Sequence, residues 1–161
     1  LCTRGYSVMK GYWDDYDKTN EVLTESGWMK TGDLAIIDEA GYGNIVGRVK
    51  DMIIRGGENI YPREIEEFLY THHSIQDDSV FGLPDTELGE IVAAWIKLKQ
   101  NKNLKEEEVK NFCKNEIAHF KIPARIKFVE EFPMTVSGKI KKFEMRDAMI
   151  KELCLDTADN A

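Results

Sequence analysis

The sequence predicts an α+β protein in which a strand-rich N-terminal segment, with one β-hairpin, precedes a compact small domain of a short sheet and two or three helices. Residues 1–50 combine glycine, aromatic residues and turn signals, which favours strands and turns. From Asp51 onward, apolar residues at helical spacing alternate with short β-rich runs, which favours a mixed domain of about 100 residues. We therefore divide the chain at 1–50, 51–153 and 154–161, and we expect the last segment to be a flexible tail.

The hairpin is predicted in the N-terminal segment. Residues 29–38 form its first strand candidate, and Tyr42 to Arg48 form the second. The connecting Asp38-Glu39-Ala40-Gly41 has Asp at the first turn position and Gly at the last, as β-turns favour.

Three helices are predicted in the small domain. The first begins at Pro62, because a proline fits the first turn of a helix. The second begins after Asn103, which with Glu106 resembles a capping box, and it ends by Pro123. The third spans 143–153. The predicted apolar faces are Ile65, Phe68, Leu69 and His72; Val109, Phe112, Cys113 and Ile117; and Met145, Met149 and Leu153. The predicted strands are 91–98 and 125–130.

The composition excludes several classes of function. The chain has 29 acidic and 22 basic side chains, giving a net charge of -7, whereas a nucleic-acid-binding surface is basic. No apolar run approaches the roughly 20 residues of a transmembrane segment, and residues 1–10 carry no secretory signal pattern. Because the sequence starts at Leu1 in what resembles the middle of a strand, we expect a fragment of a longer protein.

Cysteine and histidine spacing predicts neither a disulfide framework nor a metal site. Cys2, Cys113 and Cys154 are odd in number and far apart, so we expect an intracellular, reducing compartment, with no choice between cytoplasm and mitochondria. Cys113 is predicted to be a small core residue. His72 and His73 are adjacent, and adjacent helical side chains point in different directions.

Two segments resemble generic nucleotide-binding motifs, but neither matches the motif fully. Gly41-x-Gly43-x-x-x-Gly47 has a last gap one residue too long for a dinucleotide fingerprint, and it lies inside the predicted hairpin. Ser137-Gly138-Lys139 lacks the upstream glycine of a phosphate-binding loop, and Ile140 replaces the required Ser or Thr.

Four polar turns remain as candidate sites. They are residues 30–33 (Lys-Thr-Gly-Asp), 47–51 (Gly-Arg-Val-Lys-Asp), 55–62 (Arg-Gly-Gly-Glu-Asn-Ile-Tyr-Pro) and 133–140 (Pro-Met-Thr-Val-Ser-Gly-Lys-Ile). Each one taken alone is equally well interpreted as turn glycines and solvated charges.

Taken in this order, the four turns resemble the motifs of the adenylate-forming enzymes, the superfamily of acyl-CoA synthetases, luciferases and peptide-synthetase adenylation domains. The resemblance runs from Arg4-Gly5-Tyr6 to Lys139 and includes Gly27-Trp28-Met29 before the first turn and Glu64-Ile65-Glu66 after the third. Within the superfamily, residues 119–123 and 133–139 are most similar to medium-chain fatty-acyl-CoA synthetases.

The resemblance implies a two-step ligase reaction. A carboxylic acid, here expected to be a medium-chain fatty acid, reacts with ATP to give an acyl-adenylate and pyrophosphate, and the acyl group then passes to the thiol of CoA. It also implies Mg²⁺ held by another part of the protein, and a large N-terminal domain of the same protein as the partner of the small one.

Individual roles follow from the resemblance. Asp33 matches the residue that binds the ribose hydroxyls, since a carboxylate accepts two charge-assisted hydrogen bonds from a diol. Arg48 matches a second ribose contact; alternatively it pairs with a nearby carboxylate. Lys139 matches the catalytic lysine of the adenylation step, where an ammonium offsets repulsion between carboxylate and phosphate. Lys141 and Lys142 have no comparable match and are predicted to be surface charges.

The remaining roles concern domain rotation and CoA. Asp51 matches the hinge about which the small domain turns between the two half-reactions. Gly56, Gly57 and Glu58 match the loop that lines the path of the CoA pantetheine. As an alternative, the two glycines serve the entry of the following helix.

Several family features are expected to precede Arg4: the phosphate loop, the segment that helps to hold magnesium and the acyl pocket. The chain alone is therefore expected to be inactive. Two alternatives within the superfamily stay open, an amino-acid-activating adenylation domain and a luciferase-type enzyme. An alternative from another class is a non-catalytic α+β module that binds a protein partner and needs neither Asp33 nor Lys139.

Overall fold

The computed structural model describes residues 1–155, which form two compact units, Leu1–Lys50 and a second that begins at Asp51. The elements of the first unit are β1 (Cys2–Thr3), α1 (Tyr16–Val22), β2 (Met29–Lys30), β3 (Asp33–Ile37) and β4 (Gly43–Arg48). Strand β1 pairs with β2, and β3 pairs with β4, both in antiparallel fashion. Whether this unit is the end of a larger domain stays a prediction.

The predicted hairpin is confirmed, but its first strand is shorter than expected. Gly41 N donates to Asp38 O at 3.0 Å and closes the turn. The predicted strand over 29–38 is two strands, β2 and β3, because Gly32 between them has φ +77°, which an extended strand cannot contain.

The interpretation of residues 1–50 as strands and turns alone was wrong at α1. Asp15 caps this helix, since Lys18 N donates to Asp15 Oδ1 at 2.9 Å. None of the α1 residues is buried, so the helix offered no apolar stripe to recognise.

The second unit follows a single 3₁₀ turn, Val49–Asp51. Its elements are β5 (Ile53–Arg55), β6 (Glu58–Ile60), α2 (Pro62–Leu69), β7 (Ile75–Asp85), β8 (Gly89–Leu98), α3 (Glu106–Cys113), a 3₁₀ helix (His119–Lys121), β9 (Arg125–Phe128) and α4 (Lys142–Leu153). A sheet with three α-helices confirms the predicted fold class. Within residues 1–155, no helix is both long and apolar enough to span a membrane.

The sheet of the second unit has strand order β6-β5-β8-β7, with β9 added parallel to β8. Alternate residues of β8 face opposite sides. Val92, Ala94 and Ile96 pack in one core cluster, whereas Ile91, Ala93 and Trp95 pack in the other. The sheet is therefore buried on both faces.

Helices cover each face of this sheet. The first cluster takes Ile65 and Leu69 from α2 and Val109 and Cys113 from α3. The second takes Met145 and Met149 from α4. Cys113 is confirmed as a core residue, and burial raises the pKa of its thiol to about 11.

Two details predicted for the second helix, α3, were wrong. Asn103 does not cap α3; the helix begins at Glu106, and Glu108 Oε2 accepts from Lys105 N at 2.7 Å, so the acidic partner lies two residues later than expected. The helix ends at Cys113, well before Pro123, so Ile117 lies beyond it.

The start of α2 and both ends of α4 agree with the prediction within one residue. His72, which was placed on the apolar face of α2, lies beyond the end of that helix at Leu69. Pro62 is the first residue of α2, and α4 begins at Lys142 instead of 143. Cys154, with φ +50°, ends α4, and the rest of the predicted tail, 156–161, lies outside the described residues.

Candidate functional site

The two predicted nucleotide-binding residues lie side by side in the first unit. Asp33 and Arg48 are register partners across β3 and β4, and Arg48 Nε donates to Asp33 Oδ1 at 3.0 Å. The Asp33 side chain is 24% exposed and that of Arg48 is 62% exposed. The alternative that Arg48 pairs with a nearby carboxylate is therefore confirmed, and that carboxylate is Asp33. The ribose contacts of both residues stay predictions.

Asp51 ends the Val49–Asp51 turn and is the first residue of the second unit. Its side chain is half-buried. The boundary between the units falls at the residue that the motif assigned to the hinge, and the hinge role itself stays a prediction.

Gly56 and Gly57 form the two-residue turn between β5 and β6. Arg55 and Glu58 flank this turn as register partners, and the two glycines have φ of +57° and +86°. Positive φ at both positions is typical of the type I′ turn, which suits the twist of a hairpin. The interpretation as helix-entry glycines was therefore wrong, because α2 begins only at Pro62.

The two glycines of this turn differ in their surroundings. Gly56 N donates to Leu88 O at 2.8 Å, which joins the turn to the segment before β8. A Cβ on Gly57 would meet no atom within 4 Å. Glu58 is exposed. The turn therefore presents open backbone and one carboxylate to solvent.

Lys139 lies in a loop that its own backbone closes. Thr135 N donates to Lys139 O at 2.8 Å, and Lys141 N donates to Pro133 O at 2.8 Å. Lys139 N also donates to Thr135 Oγ1 at 3.0 Å, and Gly138 turns the chain with φ +78°. We call residues 133–141 the Lys139 loop; it is a small hairpin with fixed backbone geometry.

Within residues 1–155, the ammonium of Lys139 has no carboxylate partner, unlike the ammonium groups of its neighbours. The four other lysines between positions 121 and 142 form ion pairs, which are Lys121–Glu64, Lys127–Glu152, Lys141–Glu144 and Lys142–Glu66. Among residues 1–155, Lys139 contacts no carboxylate within salt-bridge distance, and the residue is exposed to solvent. An unpaired ammonium is available to an anionic ligand.

The prediction that Lys142 is a surface charge was wrong. Its Nζ donates to Glu66 Oε1 at 2.7 Å and to Val80 O at 2.9 Å, and both charged side chains are about one-quarter exposed. Glu66 is 76 residues away in sequence, so no local pattern indicates this pair. The ammonium of Lys141, by contrast, donates to Glu144 Oε1 in the first turn of α4 at 2.7 Å.

A buried carboxyl lies beside this pair. Burial, helped by the charges of Glu66 and Asp77 and opposed by that of Lys142, raises the pKa of Asp78 to about 8. The Asp78 Oδ2 atom is buried without a hydrogen-bond partner among the described residues.

Glu90 is a second, partly buried connection that the sequence did not reveal. One carboxylate oxygen accepts from Ile54 N of β5 at 2.9 Å, and the other accepts from Arg146 Nη1 of α4 at 2.8 Å. It thereby fixes the β5–β6 hairpin, which carries Gly56 and Gly57, to the helix that follows the Lys139 loop. A Glu at the start of a strand gives no signal for this role in the sequence.

The structure therefore brings the candidates together in three groups. Asp33 and Arg48 form one in the first unit, while the Gly56–Glu58 turn and the Lys139 loop are two separate groups in the second. Within residues 1–155, no cluster of three or more His, Cys, Asp or Glu side chains could hold a metal ion.

Comparison with known proteins gives one family match and several relatives. Residues 64–139 match the AMP-binding enzyme C-terminal domain. YngI of Bacillus subtilis (strain 168) is 54% identical over 158 residues, which is 98% of this chain and 29% of YngI. The mitochondrial medium-chain acyl-CoA ligase ACSF2 of Bos taurus is 52% identical over 155 residues, or 96% of this chain and 25% of that protein.

Solved structures show the same architecture. MatB from Rhodopseudomonas palustris, with ATP bound, superposes with a TM-score of 0.83 at 35% identity, covering 89% of this chain and 28% of MatB. The amide bond synthetase McbA from Marinactinospora thermotolerans gives 0.85 at 31% identity, covering 91% and 30% of the respective chains. The chain thus spans less than a third of the length of each of these four proteins.

Proposed function

Since this chain belongs to the adenylate-forming enzymes and its residues 64–139 are an AMP-binding enzyme C-terminal domain, we propose that it is the C-terminal part of an ATP-dependent acid–CoA ligase. The enzyme activates a carboxylic acid with ATP to an acyl-adenylate, releasing pyrophosphate, and transfers the acyl group to CoA. Similarity to the medium-chain acyl-CoA ligase ACSF2 along 96% of the chain supports a medium-chain fatty acid as the substrate.

The observation that carries this proposal is the free ammonium of Lys139 on a backbone-closed loop. In the adenylation step a carboxylate oxygen attacks a phosphate, so two negatively charged groups approach each other. A positioned ammonium at their junction stabilises that arrangement without reorganising. A lysine already paired with a carboxylate would first have to lose its partner.

Asp33 and Arg48 would hold the nucleotide. The carboxylate can accept hydrogen bonds from both ribose hydroxyls, while Arg48 holds one carboxylate oxygen and adds a donor at the same place. The Gly56–Gly57 turn would line the path of the CoA pantetheine, where its open backbone permits close approach.

Magnesium accompanies ATP in the family, but no cluster of candidate ligands for it exists among residues 1–155. We assign it no step here and propose that another part of the protein holds it. The free thiols of Cys2, Cys113 and Cys154 support a reducing, intracellular compartment.

The proposal is tested with Lys139→Ala in the complete protein. Pyrophosphate release from ATP and octanoate measures adenylation, and acyl-CoA formation from supplied octanoyl-adenylate measures the second step. We expect adenylation to fall on the order of 10²–10³-fold, since removing one such electrostatic group costs about 3–4 kcal/mol, with the second step unchanged. Lys141→Ala is the matched control. Equal loss in both steps would refute the role of Lys139.

A further inference from the structure

We propose that the Glu66–Lys142 ion pair positions the Lys139 loop against the edge of the sheet, which makes Glu66 and Lys142 positioning residues for the adenylation step. The inference rests on the proposed function of Lys139. It is carried by the way in which side chains from two helices bind the N–H and the C=O of one residue of β7, Val80.

The pair binds the open edge of the sheet. β7 is the last strand in the order β6-β5-β8-β7, so one side of it has no neighbouring strand among residues 1–155. Val80 N donates to Glu66 Oε1 at 2.8 Å, and Val80 O accepts from Lys142 Nζ at 2.9 Å. Both polar groups of a residue in an antiparallel strand point to the same side, so both charged side chains reach the free edge.

The two side chains come from opposite faces of the sheet. Glu66 belongs to α2, which packs in the first core cluster, and Lys142 begins α4, which packs in the second. A single carboxylate oxygen, Glu66 Oε1, accepts from both Lys142 Nζ and Val80 N. Three hydrogen bonds among three groups leave the start of α4 little freedom at this edge.

The start of α4 is also the end of the Lys139 loop. Lys142 follows Lys139 by three residues, and the bond from Lys141 N to Pro133 O closes the loop immediately before it. Because the loop is closed by its own backbone, it moves as one body. Fixing the residue that follows it therefore fixes the direction in which Lys139 projects.

A second attachment would keep the loop folded if the ion pair were removed. Phe132, just before the loop, is 7% exposed in the second core cluster, and Ile140 packs against that cluster. Loss of Lys142 would therefore leave the loop present but less well oriented. Misplacement of a catalytic group by about 1 Å costs on the order of 100-fold in rate, so orientation alone can carry a large effect.

The neighbouring Lys141 supplies a matched control. It has the same chemistry and lies one residue closer to Lys139, but its ammonium bonds to Glu144 in the first turn of α4 and does not reach the sheet. Its substitution removes one positive charge from the same region without touching the attachment to β7.

The test compares Lys142→Met, Lys142→Arg and Lys141→Met in the complete protein. We expect Lys142→Met to lower kcat for pyrophosphate release by about 10- to 100-fold, as expected of a displaced catalytic group. Acyl-CoA formation from supplied octanoyl-adenylate should be unchanged. Lys142→Arg should restore most of the loss, and Lys141→Met should resemble the wild type. Equal effects of Lys142→Met and Lys141→Met, or an equal fall in both half-reactions, would overturn the inference.

Two further measurements keep the inference testable if the single variant folds poorly or if Lys139 proves not to be catalytic. The double variant Glu66→Gln/Lys142→Met leaves no unpaired charge and is judged by the same criteria. Residual dipolar couplings of the Thr135, Gly138 and Lys139 amides report the orientation of the loop relative to the sheet and require no activity. Couplings that change in Lys142→Met but not in Lys141→Met support the positioning role, and couplings that are unchanged in both variants refute it. An unaffected adenylation rate in Lys139→Ala would refute only the proposed function.

Discussion

The carboxylate of Glu90 occupies the space beside Gly82, so that a Cβ built on Gly82 would lie 2.9 Å from Glu90 Oε1. Gly82 lies within β7 with ordinary strand geometry, so its backbone does not require glycine. The carboxylate cannot simply move away, because Ile54 N and Arg146 Nη1 both donate to it. The partly buried carboxylate of Glu90 therefore explains why position 82 is a glycine.

Gly82→Ala should destabilise the protein by about 1–3 kcal/mol, the usual effect of overpacking in a buried site. The added methyl group forces the Glu90 carboxylate to leave at least one of its partners. Urea unfolding measures the change. In a Glu90→Ala background the same substitution should cost much less, because the clash is gone; an equal cost in both backgrounds would contradict this explanation.

Asp78 should make stability fall as the pH rises. Its carboxyl pKa is about 8 in the folded protein and 3.8 in the unfolded chain, so the folded state binds the proton more tightly between these values. This contribution is fully present below about pH 4 and is lost progressively up to about pH 8, on the order of a few kcal/mol in total.

Asp78→Asn is the test of this pH dependence. An amide has nearly the same shape but does not titrate, so the variant should be more stable than the wild type at pH 8 and should change less between pH 5 and pH 8. Urea unfolding at the two pH values gives both quantities. Asp147→Asn, at an exposed position of α4 whose charge does not contribute to the raised pKa of Asp78, is the control. Parallel pH profiles for wild type and Asp78→Asn would show that Asp78 is not responsible.

Sequence patterns predicted the elements whose signals are local. Pro62 at the start of α2 and the methionines of α4 each act within one helix, and the start of α2 and the bounds of α4 were predicted almost to the residue. Strand β7 was not predicted, because Asp77, Gly82 and Pro84 are disfavoured in strands and their tolerance depends on tertiary contacts.

The site shows the same division between local and distant contacts. Asp33, Arg48 and Lys139 were proposed as site residues from motifs alone. The turn at Gly56–Gly57 could have been recognised as a hairpin from two glycines between short apolar runs. The partners Glu66 and Lys142, or Glu90 and Arg146, are 76 and 56 residues apart. Such pairs follow from the packing of helices on the sheet, which no local pattern encodes.

Gly57→Ala should destabilise the β5–β6 hairpin although the added methyl group would contact nothing. The cost is backbone strain, since φ is +86°, and it should be about 1–2 kcal/mol. Gly56→Asn is the comparison, because Asn-Gly suits a type I′ turn, and it should leave stability nearly unchanged. Thermal unfolding of the two variants distinguishes them; greater damage from Gly56→Asn would mean that the contact with Leu88, and not backbone strain, governs the turn.

Asp51→Pro should separate the two half-reactions in the opposite sense to Lys139→Ala. If the second unit turns about Asp51 between the steps, as we propose, then a proline that fixes φ near −65° restricts that change. We expect acyl-CoA formation from supplied acyl-adenylate to fall most, while pyrophosphate release is largely retained. Asp51→Ala removes the same carboxylate without restricting φ, so it isolates the backbone effect and should leave both rates near those of the wild type. If alanine and proline reduce the two steps alike, the carboxylate and not rotation at this residue is what matters, and the hinge must lie elsewhere.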